Sequence, residues 1–122
     1  MSVALWILQA VLAIVFAVTG GLKLVRPKAA LLDRMGALEP VHPAAVKAIG
    51  LAEVLGALGL VVAPFVGLMP LVPWAAFGLA CLMVAAMIAH GQRHEWTHAA
   101  VPAVLFVLSV VVMYGRSALL AA

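Results

Sequence analysis

Four stretches of the chain run for sixteen to twenty residues with almost no charge, and this feature decides what the chain can fold into. They extend from Val3 to Leu22, Ala45 to Ala63, about Leu71 to His90 and about Ala99 to Tyr114. A bilayer core of roughly 30 Å takes about 20 apolar helical residues. Soluble domains carry about 25% charged residues, whereas only 9% of these 122 residues are charged and 68% are hydrophobic. A body this small leaves much of its surface outside, so its solvent must be lipid. An ordinary cytosolic enzyme, a disordered tail and a disulfide-stapled secreted module are excluded. Long apolar runs without period-two alternation are helices rather than barrel strands. The expected fold is all-α, an integral membrane four-helix bundle. It forms one domain over 1–122, with spans at about 3–25, 45–63, 71–90 and 99–117.

The first run has neither the basic start nor the cleavage motif of a signal peptide and is expected to be a mature span. Pro27 can open a short helix whose Leu31, Leu32 and Met35 share one side and which Gly36 can end. This predicts an interfacial helix from Pro27 to Met35, lying on the headgroups. Pro64, Gly67, Pro70 and Pro73 mark a tight uncharged turn. Pro102 is expected in the first turn of the last span, where a missing N–H costs little. Arg116 lies near the end of that span, from where it can snorkel to the interface.

The net charge of +3 comes from seven basic residues, most of them in one loop, which reads as a topology signal rather than a nucleic-acid surface. Lys23, Arg26, Lys28, Arg34 and Lys47 lie between the first two spans and Arg93 between the last two, against Arg116 alone on the other side. The bias puts both charged loops in the cytoplasm and both termini outside. Trp6 and Trp74 then fall at the outer interface and Trp96 at the inner one, with Tyr114 as a further anchor.

Membrane helices associate where small residues let their backbones approach. The expected stripes are Ala13, Ala17 and Gly21 in the first span; Ala48, Ala52 and Gly56 in the second; and Gly78, Cys81, Ala85 and Ala89 in the third. Cys81 on such a stripe is expected to be a small buried hydrophobe. Gln9, Thr19 and Ser109 are expected to hydrogen-bond between helices.

Glu53, the ninth residue of the 45–63 run, lies near mid-membrane, where an unpaired carboxylate costs several kcal/mol. It is either a functional group or one half of a structural ion pair. Lys23 and His90 end the first and third spans on the side from which the second span enters. Glu53 sits about 12 Å below that entry point. The three are expected to form a buried polar cluster. Met83, Met87 and His90 follow at spacings of four and three, which also suits a soft metal path, although methionines at such spacing more often pack a core.

His94-Glu95-Trp96-Thr97-His98 spells H-E-x-x-H, the pattern in which two histidines on one helical face hold zinc beside a glutamate base. With His90, three histidines recur at spacing four. No Asp, Glu or His follows His98 to complete a catalytic zinc site, and the stretch spans a turn, with Gly91 ending one helix and Thr97 able to cap the next. His94, Glu95 and His98 therefore remain metal candidates only. The preferred reading is a fortuitous match in a His-rich turn that binds metal adventitiously, and a zinc metalloprotease is the rival it displaces.

Phe16-Ala17-Val18-Thr19-Gly20-Gly21-Leu22-Lys23-Leu24 with Arg26-Pro27, the run Gly50 to Leu60 around Glu53, Met87-Ile88-Ala89-His90, and the final Tyr114-Gly115-Arg116 together resemble the DoxX-like family across nearly the whole chain. The resemblance implies a small four-helix integral membrane protein. That family takes its name from a subunit of an archaeal thiosulfate:quinone oxidoreductase, and other members are linked to oxidative-stress membrane complexes or to receptor assembly in animals. Its fold is similar to that of quinone-reducing thiol oxidoreductases, which need cysteine pairs. Cys81 is the sole cysteine, so independent dithiol chemistry is excluded. The positions matching the family are Lys23, Glu53 and His90.

The expectation is a protein of a bacterial inner membrane, an accessory subunit that binds a quinone or lipid beside the Lys23, Glu53 and His90 cluster. It has no catalytic residue of its own, a redox link is open, and it has the bilayer and a membrane-protein partner or second copy as neighbours. The rival is a non-catalytic assembly protein of a larger membrane complex.

Overall fold

Helix begins wherever the apolar runs begin and, in most cases, outlasts them. The computed structural model describes residues 2–32 and 35–121. Helix α1 covers Ser2–Val25, α2 Lys28–Leu31, α3 Pro43–Phe65, α4 Leu71–Gln92 and α5 Trp96–Ala121, with a 3-10 turn at Gly36–Leu38 between α2 and α3. No strand occurs among the described residues. At 1.5 Å per residue the four long helices measure about 33 to 39 Å. Their mean hydropathy of 2.0 to 2.3 suits them to cross a bilayer. The chain is a multi-pass membrane protein in contact with lipid.

The termini of the helices follow from local chemistry. His42 caps α3, its Nδ1 accepting from the Ala44 amide at 3.1 Å, and Pro43 supplies the preset φ of the first helical position. Gly67, at φ 79°, turns the chain between α3 and α4 in a conformation that a side chain would strain. Lys47 Nζ donates to the Leu24 and Arg26 carbonyls at 2.7 and 2.9 Å. It thus serves acceptors that the end of α1 leaves open.

The long helices form an up-down ring: α1 against α3, α3 against α4, α4 against α5, closed by a thinner seam between α1 and α5. Leu12, Phe16, Leu60, Leu79 and Val112 fill its centre. Ile7, Ile14, Leu55, Phe77 and Val104 face outward, where hydrocarbon replaces water as their solvent.

Several expectations change. The interfacial helix shrinks to the four residues of α2; Asp33 and Arg34 lie outside the described residues, and Gly36 opens the 3-10 turn instead of closing a helix. Helix α5 starts at Trp96, so Pro102 is buried inside it and not in its first turn. The small-residue stripes hold only in part: Gly56 is buried against Leu79 of α4, while most of the other positions lie on other faces. Ala17, Ala48, Ala52, Gly78 and Ala85 point outward, and Cys81 is exposed on the lipid side. The close approach of α1 and α3 is made by Gly20 and Gly50, where an added Cβ would come within 2.7 to 2.8 Å of the partner helix. A period-four pattern finds small residues on every face of an alanine-rich helix and does not say which face is shared. Ser109 bonds to the Leu105 carbonyl of its own helix at 2.8 Å, while Gln9 and Thr19 do bridge helices.

Candidate functional site

The contact between Gly20 and Gly50 brings α1 close enough to α3 for Lys23 to reach into the bundle. Its Nζ donates to Glu53 Oε1 at 2.8 Å and to Oε2 at 3.0 Å, and Thr19 Oγ1 donates to Oε2 at 3.2 Å. Glu53 retains 2% of its exposure and Lys23 8%. Three hydrogen bonds from two side chains thus converge on one carboxylate at the midpoint of α3, which offsets the cost of removing it from water.

His90 does not join them by a hydrogen bond. Its Nδ1 lies 3.3 Å from Glu95 Oε1, in a second cluster at the end of the bundle where α4 turns into α5. Arg93 Nε donates to the same oxygen at 3.2 Å, and His98 Nδ1 lies 3.9 Å from Glu95 Oε2. Partial burial pushes the Glu95 carboxyl up, but the His90 hydrogen bond and the Arg93 guanidinium outweigh it and hold the group below the usual carboxylate range. His94 lies between the helices at φ 57°, so it shares no helical face with His98, and the geometry of the zinc-protease pattern is lost. Cys81 and Met87 belong to neither cluster, and Met83 only lines the adjoining cavities.

Two cavities border the buried ion pair. The larger, about 530 Å³, lies between α1 and α5; Lys23, Thr19 and Glu53 form its deep wall and His90, Arg93, Glu95 and His98 its rim. Phe16, Met83, Val101 and Leu105 make the rest of it largely apolar, and Leu32, Met35 and Gly36 lie over it. The smaller, about 300 Å³, lies under the 3-10 turn between α3 and α4 and shares Lys23, Glu53, Met83 and His90. The seam between α1 and α5 closes at the other end, where Leu5 meets Gly115 and Gln9 meets Arg116. Lys23, Glu53 and His90 therefore line one space, although only the first two are bonded to each other.

A third polar contact joins Gln9, an expected bridge between helices, to a residue expected elsewhere. Arg116 was expected to snorkel, yet it is 4% exposed, donates to Gln9 Oε1 at 2.5 Å, and lies 5.2 Å from the Trp6 ring centre. Gln9 in turn donates to the Leu60 carbonyl at 2.6 Å, so α1, α3 and α5 meet there. Trp6 is half-buried beside Phe65, whereas Trp74, Trp96 and Tyr114 are exposed.

Comparison with known proteins gives one match. A family model described as the DoxX-like family covers residues 7–112, which includes both clusters and the cavities between them. No curated protein and no solved structure matches the chain.

Proposed function

The chain belongs to the DoxX-like family, and from that premise we propose that it is an accessory membrane subunit which holds a quinone or a lipid in the cavity beside Lys23 and Glu53. The observation that carries this is the cavity itself. Ligand sites of about 300 to 1,000 Å³ combine apolar walls with a few fixed polar groups, and this space of about 530 Å³ has that make-up. An ammonium has three donors. Glu53 engages Lys23 along two lines, leaving capacity for a carbonyl or hydroxyl oxygen of a headgroup. His90 at the rim, whose Nδ1 faces Glu95, offers its other ring nitrogen as a further hydrogen-bond partner. The apolar tail of such a molecule would lie along α1 and α5. The expected setting is a bacterial inner membrane, with the basic loop on the cytoplasmic side and both termini outside.

The test is a titration of the purified protein in nanodiscs with a short-chain quinone, followed by tryptophan fluorescence, with a short-chain phospholipid titrated in parallel. Saturable binding that weakens at least about tenfold in both Lys23→Met and Ala86→Phe is expected, because one removes the donor and the other fills the space. Equal binding by wild type and both variants overturns the reading. A stoichiometric protein partner retained in mild detergent, with neither ligand bound, would favour the assembly role instead.

A further inference from the structure

We propose that His90, Glu95 and His98 form a binding site for one divalent transition-metal ion, with zinc the best fit, at the rim of the cavity. The three residues each offer a ligand atom, and these atoms lie within 4.8 Å of one another. The fold brings them together from three elements. His90 lies in the last turn of α4, Glu95 sits in the turn with its amide bonded to the His90 carbonyl at 2.9 Å, and His98 lies in the first turn of α5. The His90 and His98 ring centres are 6.1 Å apart on either side of the Glu95 carboxylate. Two imidazoles and one carboxylate are a donor set that zinc accepts with a coordination position left free. Drawing the donors to about 2 Å from a shared ion asks for side-chain rotation, which His98, 72% exposed in its side chain, is free to make.

The site is not the H-E-x-x-H pattern read literally. That pattern pairs His94 with His98 on one helix, whereas here His94 sits at the turn and lies outside the cluster, and His90 from the preceding helix takes its place. Arg93 Nε, 3.2 Å from Glu95 Oε1, competes with a metal for that carboxylate. The inference does not depend on what occupies the cavity below, since none of the three ligands bonds to Lys23 or Glu53.

The experiment uses the full chain in nanodiscs, without a polyhistidine tag, titrated with zinc by calorimetry and with cobalt followed by its visible absorption. The expected result is about one ion per chain, held at micromolar strength or tighter. His90→Ala, Glu95→Gln and His98→Ala should each weaken binding at least about tenfold, since even a residue that only hydrogen-bonds to a metal's ligand is worth about 10- to 100-fold. His94→Ala should leave binding unchanged, and Arg93→Ala should tighten it a few-fold. Helicity and monodispersity are checked for each variant. His98→Ala, at an exposed side chain, keeps the test decisive where another variant misfolds. No saturable binding, binding indifferent to His98→Ala, or a loss with His94→Ala as large as that with His90→Ala overturns the proposal.

Discussion

Glu53 shows how a single residue in an apolar span can announce its own partner. A carboxylate at that depth must be neutralised or paired, and the nearest cation that can descend from the basic end is Lys23, which meets it at 2.8 Å. Removing one partner strands the other, so Lys23→Met or Glu53→Leu alone should cost about 3 to 5 kcal/mol. The double replacement should recover most of that loss, as measured by reversible unfolding in mixed detergent micelles. A double variant no better than the worse single one would mean that the pair does more than neutralise itself. Arg116 was not legible in the same way. Its position near the chain end suggests the interface, and its partner Gln9 is 107 residues away in sequence. Arg116→Lys keeps the charge but loses the Gln9 bond geometry and the flat contact with Trp6. It should destabilise the bundle by about 1 to 2 kcal/mol in the same unfolding assay.

At the scale of elements, spans and turns could be read from hydropathy and proline, but helix faces could not. Each of the first three spans has small residues on several sides, and only the three-dimensional pairing selects Gly20 with Gly50 over Gly21 or Gly78. A Cβ at Gly50 would come 2.7 Å from Lys23 Cβ and 2.8 Å from the Gly20 carbonyl, whereas one at Gly78 meets nothing within 4 Å. Gly50→Val should therefore cost about 1 to 3 kcal/mol by pushing α1 from α3. Gly78→Ala should stay within about 0.5 kcal/mol of wild type. Thermal unfolding in one detergent orders the two, and equal losses would show that the backbone contact is not what joins these helices. The His-rich turn was misleading for a related reason. Spacing in sequence equals spacing on a face only inside one helix, and His94 at φ 57° breaks that equivalence while His90 and His98 approach from two different helices.

The molecule as a whole is a ring of four helices with most of its cations gathered at one end and Arg116 at the other, an asymmetry plain in the sequence. Its cavity was not, because an apolar lining residue and an apolar core residue look alike until the helices are placed. The proposed orientation can be tested in a Cys81→Ser background. Lys28→Cys should resist a membrane-impermeant thiol reagent added outside intact cells, while Ser117→Cys should react. The reverse pattern would invert the assignment. Helices α1 and α5 meet near Leu5 and Gly115 but stand apart where the 530 Å³ cavity lies between them. A greasy visitor would thus come in sideways from the hydrocarbon, and what sets occupancy is its mole fraction among the acyl chains rather than its molarity in the buffer. Doubling the lipid at a fixed amount of quinone should accordingly halve the bound fraction in the unsaturated regime, a dilution that no change of aqueous volume would reproduce.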